Sequence, residues 1–240
     1  MGPCLSARDP MKLLAFETAT EACSVALWLD GELRERFELA PRRHAELALP
    51  WAEQLLAEAG VARAELDAIA VGRGPGAFTG VRLAIALGQG IALALDRPLV
   101  PVSTLAALAE EAVGGRVLTA IDARMGEVYL GAFARGDDGL QPLAPETVVA
   151  PAVAEAPEGI GWDAVGTGFA AADGALQARL AGRLARVDAA ALPRAAAIAR
   201  LGAQAFARGE GLPPERVEPA YLRDNVALTL RQQQALRDAR

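Results

Sequence analysis

Hydrophobic and polar positions along the chain separate short strands from longer helices. Residues 12–17, 23–29 and 66–71 are short apolar runs, which are typical of buried strands. Residues 32–39 alternate apolar and charged side chains, as a half-exposed strand at the edge of a sheet does. The first third of the chain therefore predicts three hairpin strands, then a helix over 42–60, then a fourth strand.

The most apolar stretch follows that fourth strand and predicts a helix over 78–95. Between Val81 and Leu95 its only charged side chain is Arg82. A surface helix has one apolar stripe and one polar face, whereas this helix is apolar nearly all round. We expect its own sheet to cover one side, and either another helix of this chain or a partner subunit to cover the other. Small residues recur along it at four-residue steps, at Gly80, Ala84, Gly88 and Ala92.

The second half of the chain, from Gly114, repeats the alternation of strands and helices more weakly. Strands are predicted over 116–122, 126–134 and 162–165, and a helix over 192–208. The order of elements in the first half is that of a ribonuclease-H-like unit. The predicted divisions are an extension that is expected to be disordered, two lobes and a flexible tail, over 1–10, 11–113, 114–228 and 229–240.

Composition narrows the possible functions. The chain has 240 residues, 52% of them apolar, and a net charge of −6, which argues against a chain that binds nucleic acid by itself. Two cysteines form no disulfide framework, and residues 1–10 contain no apolar signal run, so we expect a cytoplasmic protein. The single histidine, His44, has Ala48 four residues on and not a second ligand. No metal and no cofactor are therefore expected.

Two segments carry possible phosphate-binding chemistry. Residues 17–20 follow a strand, where phosphotransferases of the actin type place a carboxylate and a phosphate-binding turn, but no glycine is present here. Residues 72–76 are a glycine-rich bend before a helix, which can bind an anion, yet they match neither common nucleotide motif. Both segments have a structural interpretation, as a turn and as a tightly packed bend. The candidate nucleotide contacts are Glu17, Thr18, Arg73 and Gly74.

Several motifs together resemble one known family. The stretches FETATEACSVALW, VGRGPGAFTGVR, VPVSTLAALA, AIDARMGEVY and EPAYLRDNVA resemble the TsaB (YeaZ) family, from Met11 to about Leu228. The resemblance implies an α/β fold of the actin-like (ASKHA, ribonuclease-H-like) type, with two lobes of mixed sheet flanked by helices. It also implies a role in forming threonylcarbamoyladenosine at position 37 of tRNAs that read codons beginning with adenine. Glu17 departs from the family, which commonly has Asp there.

The resemblance further implies a subunit without catalysis of its own. In that family a paralogue, TsaD, transfers the group, and the ATPase TsaE joins the complex. This chain would bind a TsaD-like paralogue, form a homodimer when alone, reach tRNA only through the complex, and have no membrane partner. The rival hypotheses are a small actin-like ATPase or phosphotransferase, and a metallopeptidase, for which one histidine is too few. The interface expected from helices 42–60 and 78–95 comprises Leu47, Trp51, Leu55, Gly80, Val81, Ala84, Ile85, Gly88 and Ala92.

Overall fold

A computed structural model of the chain describes residues 11–137 and 139–223, so the predicted extension and tail lie outside the described residues. It contains two β-sheets and five α-helices within those ranges. The strands are β1 Lys12–Glu17, β2 Ala22–Leu29, β3 Glu32–Leu39, β4 Ala68–Gly72, β5 Leu99–Val102, β6 Arg116–Arg124, β7 Glu127–Gly136, β8 Gly139–Pro142, β9 Thr147–Val149, β10 Trp162–Val165 and β11 Leu184–Asp188. The helices are α1 His44–Ala59, α2 Phe78–Leu95, α3 Thr104–Glu110, α4 Ala171–Leu180 and α5 Ala195–Ala207.

The two sheets share one strand order. The first sheet runs β3-β2-β1-β4-β5, with antiparallel pairs among β1, β2 and β3 and parallel pairs among β1, β4 and β5. The second runs β8-β7-β6-β10-β11 with the same alternation of directions, and β9 adds to β7. This duplication confirms the predicted actin-like fold of two mixed sheets flanked by helices.

The last helix of each half packs on the sheet of the other half. Helix α3 leaves the first sheet and buries Leu105 and Leu108 against Val117, Ile121 and Phe133 of the second. Helix α5 returns from the second half and packs on the open face of the first sheet. The predicted lobe 114–228 is therefore wrong at its end, because α5 belongs to the core of the first sheet.

A partly buried carboxylate positions α5 on that sheet. Glu35 of β3 accepts hydrogen bonds from the Ala196 amide at 3.0 Å and from the Ser24 hydroxyl at 2.8 Å. Ser24 Oγ in turn accepts the Ala195 amide at 2.9 Å, and Arg194 forms an ion pair with Glu35. A negative charge at a helix N-terminus is favourable, because the first amides there have no partner within the helix.

Helices α1 and α2 cover the opposite face of the first sheet. They share one apolar cluster with residues of β1, β2 and β4. Pro50 lies on the exposed side of α1, which continues through it to Ala59. Helix α2 begins at Phe78, and Ala77 before it makes no side-chain cap. Strands β8 and β11 and helix α4 were not predicted, since these short segments have little apolar periodicity.

Candidate functional site

The inner face of α2 carries the small residues that were predicted to meet a partner. Ala84 and Ala92 are fully buried in the lobe's own cluster, and Val81 and Ile85 are buried beside them. A Cβ on Gly88 would lie 2.5 Å from Val71 Cγ1 and 2.8 Å from Leu99 Cδ1. These residues therefore face the sheet, and their assignment to an exposed partner surface is corrected.

The same correction applies at the start of the helix. A Cβ on Gly80 would overlap the carbonyl oxygen of Thr18 in the turn after β1. The ridge of small residues thus lets α2 approach its own sheet and turn, which repays their low helix propensity. An arginine at Gly88 or a tryptophan at Ala84 would disrupt the lobe rather than an association.

The outer face of α2 is also apolar, and it is uncovered. Ala86, Gly90 and Ala94, at four-residue steps, are all exposed, and a Cβ on Gly90 would meet nothing within 4 Å. Phe78 and Leu93 are 67% and 60% exposed at the two ends of this face. By length and composition alone α2 is long and apolar enough to cross a membrane. Only 28% of its residues are buried in the molecule. These residues were not predicted, because a helix with almost no polar positions gives no sign in its sequence of which side meets the sheet.

Helix α1 borders this surface. Leu55 is buried at 2% exposure, so its predicted contact with a partner is corrected in the same way. Leu47 and Trp51 are partly buried and pack against the shared cluster, with part of each side chain accessible. We define the outer face of α2, with Leu47 and Trp51, as the apolar surface; its members on α2 are Phe78, Leu83, Ala86, Leu87, Gly90, Leu93 and Ala94.

The turn after β1 is closed by internal hydrogen bonds. Glu17 Oε1 accepts the Ala19 amide at 2.6 Å, and Oε2 accepts the Thr104 hydroxyl at 3.0 Å. Thr104 Oγ1 also accepts the Gly74 amide at 3.2 Å. Burial raises the pKa of Glu17 to about 7, and the bonds from Ala19, Thr104 and Thr18 only partly oppose this rise. The carboxyl group thus joins β1, the glycine bend and α3.

The glycine bend covers the same turn. Thr18 is fully buried and its hydroxyl donates to the Gly80 carbonyl at 2.7 Å, while the Ala77 amide donates to the Ala19 carbonyl at 2.7 Å. Glu17, Thr18 and Gly74 are buried, and of the four nucleotide candidates only Arg73 is exposed. The three buried candidates are thus bonded within the protein, as the interpretation of this segment as a structural turn expects.

The second half repeats this packing. The bend at residues 166–168 packs on the middle of β6: a Cβ on Gly168 would lie 2.6 Å from Ala120 Cβ, and one on Gly166 would overlap the Ala120 carbonyl oxygen. Asp122 Oδ1 accepts the Arg124 amide at 2.8 Å, and the Asp122 and Arg124 side chains form an ion pair. The glycines of this bend thus allow its close approach to the strand.

A polar contact joins the start of α3 to the segment before β9. Ser103 caps α3, accepting the Leu105 and Ala106 amides, and its hydroxyl donates to Glu146. Burial raises the pKa of Glu146, while the bond from Ser103 and the charge of Arg73 lower it. Two open grooves have volumes of about 610 and 620 Å³; Glu127 and Arg223 help to line the first and Ser103 the second, and neither is lined by Glu17 or Arg73.

His44 has a structural role at the start of α1. Its Nε2 lies 3.0 Å from the Thr20 carbonyl oxygen, to which it donates a hydrogen bond. Ala48, one turn on, is fully buried in the core. Within residues 11–137 and 139–223 there is no group of three or more His, Cys, Asp or Glu side chains arranged to hold a metal ion.

Comparison with known proteins identifies the relatives of this chain. A model of the family described as TsaD, tRNA N6-adenosine threonylcarbamoyltransferase, matches residues 38–230. A relative from Escherichia coli, named tRNA threonylcarbamoyladenosine biosynthesis protein TsaB, is 41% identical over 225 residues, which cover 90% of this chain and 96% of the relative. The relative of the same name from Haemophilus influenzae is 37% identical over 229 residues, covering 90% and 95% of the two chains.

Solved structures agree with these sequence matches. A Pseudomonas aeruginosa protein, described as uncharacterized with similarity to peptidase YEAZ, has a TM-score of 0.83 and 44% identity, over 89% of this chain and all of that chain. YeaZ from Pseudomonas aeruginosa has a TM-score of 0.80 and 43% identity, over 88% and 100% of the two chains. The duplicated sheets and the exchanged helices, together with these matches, define an actin-like protein of the TsaD type. The chain belongs to the TsaB (YeaZ) family.

Proposed function

We propose that this protein acts in the formation of threonylcarbamoyladenosine at position 37 of tRNA as a non-catalytic subunit. Its partners would be a TsaD-like paralogue, which performs the transfer, and a TsaE-like ATPase, with tRNA engaged through the complex. The names of the E. coli and H. influenzae relatives support the pathway. The apolar surface supports the role, because Ala86, Gly90, Leu93 and Ala94 at its centre are exposed and a Cβ on Gly90 would meet nothing within 4 Å.

The shape of the apolar surface suits a partner helix. Helices pack 8–10 Å apart, and small side chains at the contact allow the shorter separations. Ala86, Gly90 and Ala94 form such a shallow row, bordered by the larger Leu83, Leu87 and Leu93. A paralogue with the same fold would present the equivalent helix. Without the paralogue, the surface would pair with a second copy of this chain, which gives the homodimer expected from the sequence.

The closed turn supports the absence of catalysis. Three of the four candidate nucleotide residues are buried, with the amide of Gly74 and the hydroxyl of Thr18 already bonded inside the protein. A phosphotransferase of this fold would need that turn open to its substrate. The proposed place of action is the cytoplasm, because the proposed substrate of the complex is tRNA.

The proposal is tested by mixing the full chain with its cognate TsaD-like paralogue and measuring the mass of the product by light scattering. A titration of one protein with the other then gives the dissociation constant. Gly90→Arg is expected to weaken the complex at least about a hundredfold, because the arginine occupies the place of the partner helix. The isolated variant stays folded, since Gly90 meets no neighbour and Arg has the higher helix propensity. The control is Gly182→Arg, because a Cβ on Gly182 also meets nothing within 4 Å and this glycine lies in the second half, away from α2.

Two results would contradict the proposal. Wild-type affinity in Gly90→Arg would show that the partner does not use the apolar surface. Failure of the unmodified chain to bind the paralogue, together with saturable ATP hydrolysis that is lost in Glu17→Ala, would favour the small actin-like ATPase instead.

A further inference from the structure

An arginine lies between two aromatic rings at the start of α2. The Cζ atom of Arg82 is 3.3 Å from the centroid of the Phe78 ring and 5.1 Å from that of Tyr221. Its Nη1 donates to the Phe78 carbonyl at 3.0 Å, and its Nη2 donates to the Tyr221 hydroxyl. Both rings are largely exposed, Phe78 at 67% and Tyr221 at 59%. We call these three residues the aromatic–arginine cluster.

The cluster adjoins the apolar surface, because Phe78 and Arg82 occupy the first turns of α2. Tyr221 comes from the last described segment, residues 213–223, which crosses the helix. Gln89 Nε2 donates to the carbonyls of Pro214 and Val217 at 2.9 and 3.2 Å, and Val217 is buried in the core. The Ala220 amide donates to the Arg73 carbonyl at 2.8 Å. These contacts hold Tyr221 in place before any partner arrives, which lowers the entropic cost of binding.

The charge of Arg82 is not neutralised by the described residues. Its side-chain hydrogen bonds there go to a carbonyl and a phenol, and it takes part in none of the ion pairs of residues 11–137 and 139–223. A guanidinium has five N–H donors, so three of them stay available. Arg82 is also the only charge on α2. A partner that covers the apolar surface would remove water from this cation, which favours a carboxylate opposite it.

We propose that Phe78, Arg82 and Tyr221 anchor the partner through a carboxylate side chain of the TsaD-like paralogue. The carboxylate accepts hydrogen bonds from the unused guanidinium N–H groups while the two rings pack against its neighbours. Exposed aromatic and arginine side chains at the edge of an apolar area are the residue types that contribute most to protein interfaces. This inference rests on the proposed function and specifies the chemistry that the partner must present.

The test measures the dissociation constant of the complex with the purified paralogue at low and at physiological salt. Arg82→Gln is expected to raise it about tenfold or more at low salt and to reduce its salt dependence, because the variant loses the charge and keeps most of the stem. Tyr221→Ala is expected to raise it at both salt concentrations. Arg124→Gln is the control, since that side chain is 83% exposed on the β6–β7 turn. All three variants should melt close to the wild-type temperature.

The outcomes separate this inference from the proposed function. If Arg82→Gln binds like the wild type at both salt concentrations while Gly90→Arg prevents binding, the anchor is wrong and the apolar surface stands. If Arg82→Gln weakens binding by one factor at every salt concentration, no carboxylate is recognised. Single Asp→Asn and Glu→Gln changes on the paralogue are then tested against the wild type and against Arg82→Gln. The proposal is supported if one of these changes weakens binding to the wild type but not to Arg82→Gln.

Discussion

The role of Glu17 in the structure differs from the role that its position in the sequence suggests. A carboxylate after the first strand suggests phosphate chemistry, but the fold buries this carboxyl group and bonds it to the turn and to α3. Gly72 lies so close that a Cβ there would overlap the carboxyl oxygen. A carboxyl group without a cationic partner in such a place favours its neutral form, which is the cause of its raised pKa.

Glu17 makes the stability of the protein depend on pH. The pKa of Glu17 in the folded protein is about 7, against the ordinary value of 4.5, so the folded chain binds this proton more tightly than the unfolded chain does. Its contribution is complete below about pH 4.5 and is lost as the pH rises through 7, for a total of about 3 kcal/mol. Denaturant titrations at pH 5 and pH 8 should show this decline in the wild type.

Glu17→Gln should remove that decline, because the amide still accepts from Ala19 and does not ionise. Glu53→Gln is the matched control: this carboxylate is exposed and paired with Arg63, so the variant should keep the wild-type decline. Parallel curves of stability against pH for wild type and Glu17→Gln would contradict the assignment.

At the scale of an element, α2 has two different apolar faces. The inner one carries Gly88 against Val71 and Leu99, and the outer one carries Gly90 in open space. The two glycines are two residues apart and equally unfavourable in a helix, so their propensities alone predict the same effect of substitution. Their surroundings predict opposite effects.

Alanine substitutions should reveal this difference. Gly90→Ala is expected to raise the free energy of unfolding by about 1 kcal/mol through helix propensity. Gly88→Ala should lower it by about 1–3 kcal/mol, because the added methyl overpacks the sheet. Chemical denaturation at low protein concentration, where association is weak, measures both changes. Equal shifts in the same direction would refute the orientation of α2.

At the scale of the molecule, the exchange of α3 and α5 makes the halves depend on each other. Leu13, Ala68 and Ala70 of the first sheet are covered by α5, which comes more than eighty residues after that lobe's predicted end. Segment 213–223 then crosses α2 and reaches the β6–β7 turn, where Arg223 forms an ion pair with Glu127. A cut between the predicted lobes would leave an apolar sheet face in water.

A fragment of residues 11–113 is therefore expected not to fold alone. Circular dichroism and denaturation should show no cooperative transition, and a separate polypeptide of residues 190–223 should restore one by supplying α5. The full chain, as the control, should unfold cooperatively. A fragment 11–113 that unfolds cooperatively by itself would show that α5 is dispensable for the first core.

Much of the fold and less of the site could be predicted from the sequence. The strands of the first half, α1, α2 and the actin-like class were correct, because apolar runs and their spacing record local structure. The element β8, with two half-exposed and two exposed residues, has no such pattern. The α2 residues that were expected at the interface face the sheet instead, and the contact between Tyr221 and Arg82, which are 139 positions apart, had no local signal.

The sequence alone determined that α2 is too apolar for a surface helix, and it determined the family through motifs spread along most of the chain. Only the tertiary structure decided which face of α2 meets the sheet, that α5 completes the first core, and that Glu17 is buried. The physical reason is that periodicity identifies the outside of a helix through its polar residues, and α2 has almost none. Its orientation follows instead from the close approach of Gly80 to the turn after β1 and of Gly88 to β4 and β5, and such contacts exist only after folding.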